Sequence, residues 1–414
     1  MNRALSVLVA WVLLAAASMP AVAQQAAASP GAFTAGWNDG FVLQSGDGDY
    51  RLVLGMVAQI DGRFSVDEPL PITNTFTVRK IRPTLTGRVA RYFDFKVMPD
   101  FGNGQAVVAD AYFDIRFTPA FRLRTGKDKA PVGYELLQGD AFVLFPERSL
   151  ATSLVPNRDI GIQAQGELGA GRVLYAGGVF NGVADGASST TEVDVNSDKD
   201  VAGRIAVLPF RTSQRAGGAL RGLGVHLGGS RGHQNGALPS FRTSVGQTYF
   251  SYGTGVTASG ERTRVSPAIF YYYRALGLFA EYMRSTQEIA RGTVVREVTN
   301  QAWEVTASVV LTGEAASDRG VRPREHFDPP RGRWGAVQVL ARVAELDVDA
   351  AIFGAALAAP AASDGARSWT VGANWYPNPW IKWYATFERT VFAGDPDGAR
   401  PAENVVLFRG QLAF

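Results

Sequence analysis

In segment 80–91 every second side chain can hold or order an ion: Lys80, Arg82, Thr84, Thr86 and Arg88 alternate with Ile81, Pro83, Leu85 and Val89. The same alternation recurs along the chain. Its polar parity carries Arg63, Lys80, Arg82, Arg88, Lys96, Arg116, Arg122, Arg124, Arg204, Arg264, Arg274, Arg342, Lys382 and Arg409. Carboxylates of that parity are fewer: Asp61, Asp94, Asp100, Asp110, Asp114, Glu167, Glu281, Glu304 and Glu388. A water-filled passage lined in this way concentrates anions and lowers their barrier to passage. Arginine suits the tightest points, because its planar fork offers an oxyanion paired, charge-assisted hydrogen bonds. The plainer alternative is that these arginines pair with the nearby carboxylates and only brace a wall.

A second concentration of charge lies off the alternating segments. The link at about 128–158, with its flanks, carries Lys127, Lys129, Glu135, Glu147, Arg148 and Arg158. A connection of about 30 residues in a compact chain usually has a function, here a constriction folded into the passage. The candidate anion-binding and pore-lining set is therefore Arg82, Arg116, Arg124, Lys127, Lys129, Arg148, Arg158 and Arg204. Other chemistry is weakly encoded. Asp194, Asn196 and Asp198 alternate like calcium ligands, but Lys199 stands where the turn glycine belongs and Ile205 where the bidentate glutamate belongs. His226, His233 and His326 are scattered without ligand spacing, and no nucleophile, base and carboxylate set is legible. No metal, cofactor or catalytic residue is expected, and no nucleic-acid partner.

The elements that must position these residues are strands. Two-residue alternation recurs in segments of about 9 to 14 residues, which reads as strands with one apolar face. The final segment, 404–414, sets Val406, Phe408, Gly410, Leu412 and Phe414 against Leu407, Arg409, Gln411 and Ala413, and ends on an aromatic residue of the apolar parity. Aromatic residues gather at segment ends, as at membrane interfaces. Short turns, as at 91–92, 118–120, 169–171, 274–276 and 377–379, alternate with longer links at roughly 128–158, 181–199, 232–262, 286–299, 346–367 and 391–402. Short turns at one end and long loops at the other mark a transmembrane β-barrel. Sixteen strands result if 248–252 stays inside a loop, and an even number returns both ends of the chain to one side. The link 313–332 breaks the rule, being about 20 residues long where a short turn belongs.

Composition agrees. The chain has 414 residues, 46 glycines, 24 phenylalanines, no cysteine and a formal net charge of +3. Without cysteine, strand pairing and burial must hold an exported protein together. Residues 1–23 have a charged start at Arg3, an apolar stretch and an Ala21-Val22-Ala23 cleavage pattern, the form of a secretory signal peptide. The expected organisation is a signal peptide at 1–23, a periplasmic lead-in at 24–49 without clean periodicity, and an all-β, 16-stranded antiparallel barrel at 50–414.

The runs DFKVMPDFG (94–102), DAYFDIRFTPAFRLRTGKDKAPVGYE (110–135), FPERSLATSLVPNRDIGIQ (145–163), GVFNG (178–182) and SPAIFYYYRALGLFAEY (266–282), with further runs at 36–55 and 335–349, resemble the phosphate-selective porin O/P family. The resemblance covers nearly everything from residue 36 onward. It implies a homotrimeric outer-membrane porin, surrounded by lipid, that passes small inorganic anions, with phosphate as the candidate. It also implies that the loop after the fifth strand narrows the pore. The chain departs from the family pattern at Asp128, where an aromatic residue is expected. A carboxylate between Lys127 and Lys129 is expected to compete with an oxyanion for the lysines. The alternatives are a general or carbohydrate porin, using Tyr112, Phe270, Tyr272, Phe279 and Tyr384 as a stacking track, and, from other classes, a barrel enzyme or a structural barrel.

Overall fold

The computed structural model describes residues 32–66, 73–189, 196–394 and 400–414. Residues 1–23, where a signal peptide is expected, and Asp194 of the calcium-like run lie outside the described residues. The strands are β1 (Phe33–Trp37), β2 (Phe41–Ser45), β3 (Arg51–Ser65), β4 (Thr75–Val89), β5 (Phe93–Asp100), β6 (Val107–Thr118), β7 (Phe121–Lys129), β8 (Arg158–Leu168), β9 (Val173–Phe180) and β10 (Asp200–Val207). They continue as β11 (Leu223–Gly236), β12 (Phe241–Arg242), β13 (Thr248–Phe250), β14 (Thr257–Tyr273), β15 (Leu276–Arg291), β16 (Val294–Val310), β17 (Ala336–Asp347), β18 (Gly365–Asn378), β19 (Ile381–Ala393) and β20 (Glu403–Ala413). Among the described residues the short α-helices are α1 (Tyr134–Leu137) and α2 (Ala350–Gly354).

Each barrel strand pairs antiparallel with the next, and β20 returns to β3 in the register Val405↔Ser65 to Ala413↔Val57. Sixteen strands, β3 to β11 and β14 to β20, make the closed wall, as the alternation predicts. Closure leaves no long free edge. The hairpin β12–β13 stays inside a long link, so the count holds. β3 is longer than β20 can cover. Its first residues pair with β2 instead, from Phe41↔Leu54 to Gln44↔Arg51. The lead-in thus holds a hairpin, β1–β2, where the absence of clean periodicity predicts irregular chain. At this seam the Phe414 ring lies 5.3 Å from Trp37 and 6.1 Å from Phe41.

The wall is apolar outside and polar inside. Val201 is 61% exposed on the outer face, whereas Arg409 is 1% exposed on the inner face. Among the described residues no helix is long and apolar enough to cross a membrane; the strands carry the outward apolar band.

Two links differ from expectation. The segment 286–299 is no loop: β15 and β16 stay paired from Leu276↔Val309 to Arg291↔Val294, and a two-residue turn with Gly292 at φ 59° joins them. Polar pairs such as Thr286 and Thr299, whose hydroxyls lie 3.0 Å apart, allow a ladder to continue above the bilayer. The link between β10 and β11 is longer than the short turns expected at its end of the barrel, and within it Arg215–Gly222 forms a 3₁₀ helix.

The long link on the short-turn side, 311–335, folds back into the barrel. Ala316 and Val321 are buried with Val310, Ala336 and Tyr376. Arg322 pairs with Asp39 of the lead-in at 2.5 Å. Gly320 reaches the Phe142 ring of the opposite loop, where a Cβ would sit 3.7 Å from the ring.

Candidate functional site: a cationic ring around an inward loop

The chain between β7 and β8, residues 130–157, turns into the lumen. Its start passes so close to β11 that a Cβ at Gly228 would overlap the Val132 carbonyl. Glu281 of β15 then accepts the backbone N–H groups of Tyr134 and Glu135, at 2.5 and 2.9 Å. Ser149 donates its N–H and hydroxyl toward Glu135, and its hydroxyl also lies 2.8 Å from Glu304 of β16. Arg342 of β17 bonds Glu135 and the Glu147 carbonyl. Beyond these charged groups, toward the long-loop end, Leu136, Leu150, Ala151, Leu154 and Val155 pack with Met283, Ile289, Val298, Ala302 and Leu346 and with the β12–β13 hairpin and α2. The loop has a hydrophobic core of its own inside the mouth of the barrel.

The opposite side of the loop is held by charge. Asp140 meets Lys80 at 2.8 Å, Arg148 at 2.9 Å and Arg158 at 3.6 Å, and also pairs with Arg82. Glu147 meets Arg79 at 2.7 Å, Arg63 at 3.0 Å and Arg409 at 3.2 Å. Burial alone would raise the Asp140 carboxyl; Lys80, Arg148, Lys129 and Arg82 outweigh it and hold the group well below the usual carboxylate range. Burial opposes ionisation of Glu147 in the same way, and Arg79, Arg409 and Arg63 prevail. Loop carbonyls are taken by the wall: Lys382 donates to Val143 at 2.8 Å, Asn374 to Leu144 at 2.9 Å, Gln411 to Ala141 at 3.0 Å, and Arg409 to Pro146.

The ring is not neutral. Arg63, Arg79, Lys80, Arg82, Lys96, Arg148, Arg158 and Arg409 share Asp61, Asp100, Asp110, Asp140 and Glu147: eight cations to five carboxylates among the described residues.

The eight sequence candidates divide. Arg82, Arg148 and Arg158 converge on Asp140, and Lys129 lies beside them, donating to Gln138 at 2.6 Å. Arg124 stands apart, over the Tyr112 ring at 3.6 Å, bonded to Asp114 at 2.7 Å and to Asp128. Arg116 sits near the short-turn end, donating to the Arg91 carbonyl at 2.7 Å. Lys127 donates to the Ser189 carbonyl at 2.6 Å. Arg204, on β10, makes no hydrogen bond or ion pair among the described residues. Asp128 does not compete for the two lysines as expected: its carboxylate lies on Arg124, and both lysines bond to backbone carbonyls. Asp128 shares the parity of Arg124, two repeats of the pleat away along β7, and not that of its chain neighbours Lys127 and Lys129.

Arg79 was missed. It is the extra residue of a bulge, since Gln59 pairs with Lys80 and Ile60 with Val78. The sequence does carry the signal: the apolar residues fall at Phe76, Val78, Ile81, Pro83 and Leu85, with one three-residue step among two-residue steps. Asp140 lies in irregular chain, and no periodicity marks it. The expected aromatic track is covered rather than open. Tyr134 stacks on Phe270 at 4.7 Å and lies 5.8 Å from Phe279, while Tyr384 is buried under Lys382 at 4.0 Å.

Solved structures share this architecture. An anion-selective porin from Comamonas acidovorans superposes with a TM-score of 0.56 at 13% identity, over 88% of this chain and 100% of that one. The outer membrane channel DcaP of Acinetobacter baumannii gives 0.56 at 11% identity, over 90% of this chain and 99% of that one. The trimer form of OmpT, an outer membrane protein of Vibrio cholerae, gives 0.55 at 11% identity, over 88% and 99%. At these identities the likeness concerns the fold. A comparison with curated protein sequences finds no match. The family model for phosphate-selective porin O and P matches residues 55–388, most of the barrel and all of the inward loop, and the chain belongs to that family of outer-membrane porins.

Proposed function

We propose that the barrel conducts small inorganic anions by passive diffusion, with phosphate as the preferred candidate. The observation that carries this reading is the imbalance on the charged flank of the constriction, where eight cations share five carboxylates. Most of the basic side chains brace the loop, and bracing and selectivity are compatible. A guanidinium that spends one edge on a carboxylate keeps further N–H donors, and a net positive ring between low-dielectric walls attracts anions strongly. Arg204 adds a cation on β10 that is unpaired among the described residues. The wall groups supply many weak partners rather than one tight site, as conduction requires. Family membership and the fold shared with an anion-selective porin support the same reading.

Assembly as a homotrimer in outer-membrane lipid, after removal of residues 1–23 as a signal peptide, belongs to this proposal. The trimer form of the Vibrio cholerae neighbour and the sequence pattern of the first residues support it.

The test is the reversal potential in planar bilayers under a potassium chloride gradient, for the wild type and for Arg79→Gln with Arg148→Gln. The wild type should be anion-selective, and the double variant should lose selectivity. A cation-selective wild type would overturn the proposal, and an unchanged double variant would remove the ring from the filter.

A further inference from the structure

Above the inward loop, toward the long-loop end, lies a cavity of about 670 Å³. Its floor is Glu147–Thr152, its walls are the upper parts of β3, β4 and β17 to β19, and its cover is the chain from Arg242 to Gln247. Three features set it apart from the ring below. First, its size: a bare inorganic oxyanion would occupy a small part of it, whereas sites for small organic molecules span about 300–1,000 Å³. Second, its lining is rich in hydroxyl and amide groups, several of them unspent. The side chains of Thr77, Asn103, Ser153 and Arg242 all face this cavity and make no hydrogen bond or ion pair among the described residues. The Nε–H groups of Arg63 and Arg342, also in the lining, have no acceptor. Third, Glu147 and Glu388 line it together with the arginines. Glu388 already accepts hydroxyl donors here, from Ser244 and from Thr370 at 2.7 Å, and a carboxylate oxygen can accept more than one.

We propose that this cavity is a capture site for a sugar phosphate, the phosphate seated at Arg242 and the hydroxylated body lying over Glu388 and Glu147 among Thr77, Asn103 and Ser153. The inference rests on the anion-conducting reading and names a larger substrate class for the same pore. The chemistry is reciprocal. Arginine N–H groups have only donors to give and match the phosphate oxygens. Threonine and serine hydroxyls both donate and accept, and so match the sugar hydroxyls whichever way these point. A mixed lining of this kind favours a ligand that carries both an anion and donors.

The experiment uses the full barrel in planar bilayers with glucose 6-phosphate, glucose and inorganic phosphate added separately to the long-loop side, reading interruption of the chloride current. Glucose 6-phosphate should block at concentrations at least tenfold below those needed for either of the others. Arg242→Ser should weaken that block at least tenfold. Thr77→Val with Ser153→Ala should narrow the difference between glucose 6-phosphate and phosphate. Equal block by phosphate and glucose 6-phosphate in the wild type would overturn the proposal. So would block by glucose 6-phosphate that neither variant changes. The reversal potential of the wild type, taken in the same bilayers, reports separately on the anion-conducting reading. A pore that is anion-selective yet indifferent to the sugar sinks only the capture site.

Discussion

The inward loop, 130–157, meets the barrel wall on two flanks of opposite chemistry. Toward β3, β4 and β20 it offers Asp140 and Glu147 to lysines and arginines. Toward β15, β16 and β17 it offers backbone N–H groups, Ser149 and leucines to carboxylates and to an apolar cluster. The first flank is wet, and its charges are also those that an ion in transit would meet. The second flank seals. Met283 and Ile289 point inward from β15 with almost no exposure, so an apolar residue of inward parity is useful only where the loop covers it. One flank can therefore change selectivity with modest effect on folding, whereas the other holds the loop in place.

Arg409 is the point where this division should fail most visibly. It belongs to the charged flank but is buried against Asp61 at 2.6 Å and against Glu147 and Pro146. Arg409→Leu takes from Asp61 its two-pronged buried partner, leaving only Arg63 at 3.3 Å, and removes one of the three cations on Glu147; it should cost about 3–5 kcal/mol, as removal of one partner from a buried pair does. The denaturant midpoint for unfolding in detergent checks this. A shift no larger than that of an exposed arginine would show that the flank is wetter than its burial indicates.

On the sealing flank, Leu154→Ala should cost about 2–5 kcal/mol of packing, since Leu154 is fully buried in the loop's own core. Because the loop and not the wall loses contacts, the expected readout is noisier single-channel current and faster proteolysis within the loop. Quiet channels with intact selectivity would mean that charge alone holds the loop.

The two faces of a single strand give the next contrast. Ile205→Arg places a charge toward lipid and should cost about 2–4 kcal/mol near the midplane. Its neighbour Arg204 has no partner among the described residues, so Arg204→Ala should leave folding intact and lower conductance. Refolding yields in detergent that fall alike for both would break the assignment of faces.

Charge removal within the ring should act on selectivity more than on stability. Asp140→Asn frees Lys80, Arg82, Arg148 and Arg158 from their shared carboxylate. Anion-over-cation permeability should rise on the order of twofold, read from the reversal potential. A fall would mean that Asp140 holds the ring open rather than merely neutralising it.

The smallest effect concerns pH. The Asp140 and Glu147 carboxyls are held below their ordinary range in the folded loop. Groups depressed in this way contribute stability that is fully present above the unfolded value and is lost only as pH falls through the folded one. Between pH 7 and 5 the charged clamp should therefore stay ionised, and limited proteolysis within the loop should be unchanged. Cleavage appearing by pH 5 would contradict that reading of the clamp.

Much of the barrel was legible before its coordinates. Period-two alternation determines which side chains share a face, because successive Cβ atoms of a strand point to opposite sides. That rule located the lipid face, the sixteen strands and inward cations such as Arg82, Arg204 and Arg409 from local sequence alone. It also failed locally for physical reasons. A bulge at Arg79 shifted the parity by one residue, and the 286–299 ladder continued as strand where charge and polarity suggested a loop. The partners of the cations were decided by tertiary structure. Asp140 and Glu147 sit in irregular chain, and apart from Arg148 beside Asp140 their cations lie tens to hundreds of positions away, so no spacing in the sequence encodes the contact. The same holds for Asp128, whose neighbours in sequence are lysines but whose neighbour in space is Arg124. Period and composition set the wall; only folding the loop across the lumen determined which of its charges are shared, which are in excess, and where the hydroxyl-lined cavity opens above them.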